Sequence, residues 1–507
     1  MSKNNGNLGY EVNLDRKDKS VYYISIIISF AIAVWGIVDS KSFEKVANSL
    51  MDVIKKNFSW AYLLSMIIFV IFAIAIAFSK YGKIKLGPDD SKPEYSTASW
   101  FAMLFGAGMG IGLLFWGVAE PLSHFAQPIA GIAPGSEEAA NFAMKASFMH
   151  WGIHPWANYS ILGLALAYFQ FRKNKPGLIS SIFIPIIGEK RAAGAIGKAI
   201  DIFAILATIA GVATSLGMGT MQINSGLSYM FGIPNNLVVW ISIIVVISII
   251  YIWTAVSGVE KGIKRISDIN LYLVFLLLGL AFLVGPTVKI MNIFVNSLGE
   301  YITTFFNDSL SINPFGDNKW LDNWRVFYWA WWIAWAPFVG TFIARISKGR
   351  TVREFIVGVI VAPAMASFIW FSVFGGMGLN LTEKLGMNAI NNLASKPELA
   401  LFTILNEYPL GFILSVVAIV LLFTFFITSA NSATFVLSML SSNGNLNPSN
   451  KKKIVWGVLQ ALIAISLLMS GGLSALQTAS VAAAFPFILI MILACISIVK
   501  AFKEEKL

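Results

Sequence analysis

Four tryptophans, Trp329, Trp331, Trp332 and Trp335, fall within seven residues of a chain that holds sixteen. Indole rings offer no nucleophile and no general base. They offer π-faces, which attract cations, above all quaternary ammonium groups that cannot donate hydrogen bonds. On a helix Trp331, Trp332 and Trp335 share one broad face, because residues three and four apart are neighbours. A second aromatic group, Trp151-Gly-Ile-His-Pro-Trp156-Ala-Asn-Tyr159, has Trp156 and Tyr159 three apart and Trp151 on the same half of the helix. Walls from two such helices could form a box in which a cation gains roughly 2 kcal/mol or more per desolvated ring. A tryptophan belt at a membrane interface is the competing reading. Pro337 with Gly340, and Pro155, put a helix breaker beside each group and predict a bend in each.

Oxygen-bearing groups lie elsewhere. Gly106-Ala-Gly-Met-Gly-Ile-Gly112 has four glycines, each lowering helix stability by about 1 kcal/mol relative to alanine. The run could pack helices tightly, or unwind so that carbonyls coordinate a hard cation. A dinucleotide loop is excluded because no strand precedes it. Phe425-Phe-Ile-Thr428-Ser429-Ala-Asn431-Ser432 supplies adjacent hydroxyls. They could complete a sodium shell or bond back to their own helix, and Thr208 and Thr214-Ser215 carry the same ambiguity. His150 and His154 have the i,i+4 spacing of a metal pair, but without a third ligand nearby polar packing is the stronger reading. The spans bearing these groups read as free of deeply placed Asp, Glu, Lys or Arg, with Glu120-Pro121 ending its span at the outer interface. A bare organic cation would want a countercharge, so this reading favours a zwitterion.

The elements that must position these residues are membrane helices. Hydrophobic residues make up 57% of the 507 residues and charged residues only 12%, against about a quarter charged in soluble domains. Apolar runs of about 20 residues suffice to cross a bilayer. Twelve spans are predicted, near 22–39, 59–79, 97–119, 142–170, 198–228, 237–256, 268–295, 324–344, 354–378, 409–441, 453–470 and 475–499. Lys and Arg cluster in alternate loops, which places both termini in the cytoplasm and makes the net charge of +11 a topology signal, not a nucleic-acid patch. Lys41, Lys45, Lys55 and Lys56 in the first outer loop are the exception. Residues 1–20 are polar and no cleavable signal is expected. The sole cysteine, Cys495, excludes an intrachain disulfide and a thiol metal cluster. Residues 297–309 and Arg345 to Glu354 read as surface amphipathic elements.

Taken together the motifs resemble the betaine/carnitine/choline transporter (BCCT) family over nearly the whole chain: Gly108-Met-Gly-Ile-Gly112, the Trp151–Tyr159 group, Trp329-Ala-Trp-Trp-Ile-Ala-Trp335-Ala-Pro-Phe338, Ala344-Arg-Ile-Ser-Lys-Gly-Arg350 and Thr428-Ser-Ala. The resemblance implies an all-α membrane protein of twelve helices, with two inverted five-helix repeats of the LeuT type. The expected division is a tail at 1–21, two peripheral helices in 22–96, repeats at 97–296 and 324–499, an outer amphipathic connector at 297–323 and a tail at 500–507.

It also implies a homotrimer in a bacterial cytoplasmic membrane, sodium as coupling ion, and neither an organic cofactor nor a nucleic-acid partner. Carried over, Trp331, Trp332 and Trp335 hold the substrate with Trp151, Trp156 and Tyr159. Trp329 and Trp335 line its path, and Phe342 matches a gating aromatic. A sodium site would use carbonyls of Gly106, Met109 and Phe425 and the hydroxyls of Thr428 and Ser429. A second would use Thr208 and Phe338, but Val212 stands where the family has a threonine.

Choline-type members resemble Gly-Met-Gly-Ile-Asp where this chain has Gly112, and carnitine exchangers carry a basic side chain in place of the ion. The expectation is therefore sodium-coupled import of glycine betaine for osmoprotection. A choline or carnitine transporter or exchanger of the same fold is the alternative. A channel would need a continuous polar lining, and an enzyme a nucleophile with its base, and neither pattern is visible. The osmosensing of relatives with long basic carboxyl tails is not expected here.

Overall fold

The computed structural model describes residues 19–108, 110–257 and 260–506. Eighteen α-helices account for most of them, and no β-strand occurs among the described residues beyond an isolated bridge between Lys85 and Thr351. In chain order they begin with α1 (Ser20–Val38), α2 (Ser40–Phe78), α3 (Thr97–Gly108), α4 (Ile111–Ala126), α5 (Glu137–Trp151) and α6 (Ile153–Ala167). Next come α7 (Ile184–Ala192), α8 (Ala195–Phe231), α9 (Leu237–Val256), α10 (Glu260–Val284), α11 (Thr287–Leu310) and α12 (Val326–Ile346). The last are α13 (Val352–Asn380), α14 (Thr382–Ser395), α15 (Pro397–Asn406), α16 (Gly411–Leu440), α17 (Asn450–Met469) and α18 (Leu473–Lys503).

Among the described residues, ten helical segments are long and apolar enough to cross a membrane. The expected third and fourth spans are not continuous helices. Glycine divides them into α3/α4 and α5/α6, where unwinding is least costly to side-chain packing and most tolerable to the backbone.

The tryptophan helix α12 lies at the centre, packed against α6, α8, α18 and α2. Its residues Val326 to Ala334 are all buried, so a helix that is apolar all round finds protein on every side. By contrast α9 leaves Val238, Val245, Val246, Ile249 and Trp253 exposed, an outward face suited to lipid.

Several expectations change. The first outer loop is no loop: Asp39 alone separates α1 from α2, and its carboxylate accepts from the Ser42 N–H at 3.1 Å as the helix cap. Its lysines therefore stand on the first half of α2, where Lys55 donates to Asn323 at 3.0 Å. The seventh span ends earlier than expected, at Gly285-Pro286, and α11 starts beyond it. The basic stretch from Arg345 to Glu354 is not an amphipathic helix. Residues 349–352 pair with 84–86 through Gly349 N–H to Leu86 O and Val352 N–H to Ile84 O, both 2.8 Å. Thr351 and Glu354 then form a capping box that starts α13. Gly349 has φ +82°, and a Cβ there would stand 2.2 Å from the Lys92 carbonyl oxygen.

An ionic clasp closes the same end of the bundle. Glu505, beyond α18, accepts from Arg172 Nε at 2.9 Å, from Arg172 Nη2 at 2.7 Å and from the Tyr168 hydroxyl at 2.7 Å, and Lys173 lies 2.7 Å away. Burial would raise its carboxyl, but the bonds from Arg172, Lys173 and Tyr168 outweigh it and hold the group at about 2. A depressed carboxyl stabilises the folded state fully above its ordinary value of 4.5, and that stabilisation is lost progressively as pH falls from there through about 2. Glu505→Gln is thus expected to lower the thermal stability of the detergent-solubilised protein by a margin that is constant from pH 8 to pH 5. Identical melting curves at pH 7 would rule the clasp out.

Candidate functional site

The structure brings the two aromatic groups together. Trp331 and Trp332 stack with centroids 4.7 Å apart and planes 15° from parallel. Trp151 from α5 meets Trp332 edge-on at 4.8 Å and Trp331 at 6.0 Å, and Tyr159 from α6 meets Trp332 at 6.3 Å. Edge-on pairs set a ring's positive rim against a neighbour's negative face and fix both orientations. Backbone bonds add to this: Trp332 Nε1 donates to the His150 carbonyl at 2.9 Å, and Asn158 donates to the Trp332 carbonyl at 2.9 Å.

These rings line a cavity of about 700 Å³, within the usual range for small-molecule sites. It runs from the aromatic walls to Tyr95 just before α3, Ser99 in its first turn and Asp268 in the first half of α10. The lining is largely aromatic and apolar, with the hydroxyls of Ser215, Thr428 and Ser429 and the side chain of Asp268 among it.

Trp151, Trp156, Tyr159, Trp331, Trp332, Trp335 and Phe342 all reach the cavity, as do Gly106, Gly112, Phe425, Thr428, Ser429 and Phe338. Trp329 does not. It is fully buried behind the wall, stacked on His154 at 4.8 Å. Thr208 is also absent from the lining, its hydroxyl bonding back to the Ala204 carbonyl at 2.8 Å. Met109 lies outside the described residues. Thr428 is back-bonded as well, to Thr424 O at 2.9 Å and Phe425 O at 3.2 Å, though it does line the cavity.

The helix breaks lie elsewhere than the prolines suggested. Pro337 sits inside an unbroken α12. Pro155 occupies the first turn of α6, where no intrahelical donor is needed. The breaks fall at Gly108–Ile111 and at Gly152. A Cβ at Gly152 would lie 2.5 Å from the Phe148 carbonyl and 2.7 Å from the Phe368 ring. Gly106 and Gly110 face open space, while a Cβ on Gly112 would lie 2.8 Å from Trp151 and 2.9 Å from Trp331. Close packing and a helix break both occur in the glycine run, at different glycines.

The largest correction concerns Glu120. It does not end a span at an interface: α4 continues through it to Ala126, and the carboxylate is fully buried. Oε2 accepts from Trp151 Nε1 at 2.8 Å and from the Tyr328 hydroxyl at 2.5 Å, and Oε1 lies 2.6 Å from His150 Nδ1 and 3.3 Å from His124 Nε2. Spans 3, 4 and 8 therefore do share a deep acid. The i,i+4 pair Glu120/His124 was its signal in the sequence. His150 and His154 do not act together, because His154 bonds to Ser309 at 3.0 Å. Glu120, His124 and His150 have ligand-type atoms within 4.8 Å of one another. Yet Trp151 N–H and Tyr328 O–H point donors at the same carboxylate, which suits a hydrogen-bond network and opposes a cation there.

The betaine/carnitine/choline family transporter (BCCT) family model matches residues 20–507. Over 489 residues the chain is 47% identical to the glycine betaine transporter OpuD of Bacillus subtilis, covering 96% of this chain and 95% of that protein. It is 47% identical over 497 residues to a probable glycine betaine transporter of Desulfitobacterium hafniense, covering 97% of this chain and 99% of that one. Identity to an ectoine/hydroxyectoine transporter of Virgibacillus pantothenticus is 43% over 483 residues, covering 95% of this chain and 96% of that protein.

The close approach at Gly112 gives a direct test of the cage. Gly112→Ala must displace Trp151 or Trp331, and overpacking of this kind costs about 1–3 kcal/mol. It is expected to lower thermal stability and to weaken the exciton couplet of the stacked Trp331–Trp332 pair in circular dichroism. An unchanged couplet and melting curve would contradict the contact.

Proposed function

The chain belongs to the BCCT family of transporters, and from that premise we propose that it is a sodium-coupled symporter importing glycine betaine or a closely related zwitterion. The observation that carries the reading is the aromatic cage of Trp151, Trp331, Trp332, Trp335 and Tyr159 opening on one cavity with the oxygens of Thr428 and Ser429. A trimethylammonium group is attracted to these faces and makes no demand for hydrogen bonds. Gly112 supports the choice: an acid there would collide with both walls of the cage.

Carbonyls bared by the break between α3 and α4, with Phe425, Thr428 and Ser429 across the cavity, are the oxygen donors proposed for sodium. Inward sodium movement supplies about 2.3 kcal/mol per charge per 100 mV of membrane potential. With the basic loops facing the cytoplasm, the mouth at Tyr95, Ser99 and Asp268 opens inward. Counting the two broken segments as spans completes the twelve of the proposed inverted-repeat architecture, and the resemblance extends the proposal to a homotrimer. The second sodium site is not part of it, since the Val212 side chain offers no oxygen and Thr208 stands off the cavity.

The deciding experiment is uptake of radiolabelled glycine betaine into proteoliposomes with and without an inward sodium gradient, competed by choline, carnitine and ectoine. Sodium-driven accumulation that choline inhibits poorly is expected, whereas sodium-independent exchange or a preference for choline would overturn the reading. Trp332→Leu should abolish uptake while leaving membrane insertion intact; uptake at wild-type affinity would remove the cage from the mechanism. Thr428→Ala combined with Ser429→Ala should raise the sodium concentration for half-maximal uptake at least tenfold, roughly the loss of 1.4 kcal/mol of ion binding. An unchanged sodium response would exclude these hydroxyls.

A further inference from the structure

Behind the cage, outside the cavity, sits the fully buried carboxylate of Glu120. Its four neighbours can all be assigned as donors. Trp151 Nε1 is a donor only, and the Tyr328 hydroxyl has Glu120 Oε2 at 2.5 Å. Trp320 Nε1 donates to His124 Nδ1 at 3.1 Å, so in the neutral ring the proton is on Nε2, facing Glu120. His150 presents Nδ1 at 2.6 Å. Four donors on two oxygens match the capacity of an ionised carboxylate, and a protonated carboxyl would set a hydrogen against one of them.

Two of those donors belong to the cage or its support. Trp151 is a wall of the cavity, and Tyr328 stacks on Trp332 at 5.8 Å and on His150 at 4.6 Å. His150 in turn accepts the Trp332 N–H through its carbonyl at 2.9 Å. One anion thus reaches both edge-on partners, α5 and α12, from α4. An indole whose N–H donates to a carboxylate also gains electron density, which strengthens the attraction of its face for a cation.

We propose that Glu120 is a positioning residue of the cage, fixing Trp151 and Tyr328 and making the Trp151 face more attractive to a quaternary ammonium, so that it sets selectivity for a cationic over a neutral head group without touching the solute. This rests on the cage being the glycine betaine site.

The test uses Glu120→Gln and Glu120→Asp in the full-length protein. Uptake of labelled glycine betaine is competed by tert-butylacetate, its neutral-headed carbon isostere. In Glu120→Gln the affinity for glycine betaine should fall about tenfold while the inhibition constant of tert-butylacetate stays within twofold. Glu120→Asp, which keeps the charge, should recover much of the discrimination. Equal losses for both solutes, or no change for either, would overturn the proposal.

A ligand-free readout separates this outcome from failure of the transport reading itself. In fluorotryptophan-labelled protein, the fluorine NMR signal of Trp151, assigned by its absence in Trp151→Phe, should shift and broaden in both Glu120 variants. An unmoved signal would overturn the positioning role even if wild-type protein transported no glycine betaine. Should Glu120→Gln fail to reach the membrane, the Asp variant carries the fluorine measurement, in which an unmoved signal overturns the positioning role.

Discussion

Backbone that leaves helical geometry inside an apolar layer must find partners within the protein or line a cavity, because each unsatisfied polar group costs several kcal/mol there. That constraint organises the whole molecule. Both helix breaks, between α3 and α4 and at Gly152, lie beside the central cavity, and elsewhere the spanning helices run unbroken, α12 through Pro337 included. The glycines permit the breaks, but the cavity is what makes them tolerable. Around them the packing is close: a Cβ at Gly152 meets Phe148 and Phe368, and a Cβ at Gly211 would meet the Trp335 ring at 2.6 Å.

The aromatic cage is the second consequence. Stacked rings gain little from one another compared with what they offer a desolvated cation, so their arrangement needs support from outside. It comes from three directions: the Trp332 N–H on the His150 carbonyl, Asn158 on the Trp332 carbonyl, and Glu120 on Trp151 and Tyr328. Each bond crosses between helices, so the geometry of the site depends on how α4, α5, α6 and α12 sit against one another. A site assembled in this way responds to small helix displacements, which is what alternating access would require of it under the proposed function.

Much of this was legible in the sequence, for physical reasons that also explain what was not. The tryptophan spacing placed Trp331, Trp332 and Trp335 on one face, and all three line the cavity, because helical periodicity is local. Trp329 belongs to the same cluster but stacks on His154, since which side of a fully buried helix meets a cavity depends on tertiary packing alone. Glycine density identified the first break. The prolines misled, because proline is harmless in a first turn and tolerable where neighbours enclose the helix. Glu120 was assigned to an interface because an isolated acid after an apolar run usually marks one. Only His124 is a local partner; the other donors, His150, Trp151 and Tyr328, lie 30, 31 and 208 positions away and come together through tertiary packing.

Under the proposed function, ion and solute are coupled through one turn of helix. Gly110 is the cap of α4 and lines the cavity, and Gly112, two residues on, is the point where Trp151 and Trp331 both close on the backbone. An ion drawing the carbonyls of the break toward Phe425, Thr428 and Ser429 would orient the start of α4, and with it the clearance of both cage walls. Glu120 lies on the same helix, so its hold on Trp151 moves with that orientation. Coupling then needs no contact between ion and solute. It needs only that the arrangement favoured by the ion be the one in which the rings stand at the right distance, so that each ligand lowers the free energy of binding the other by the same amount.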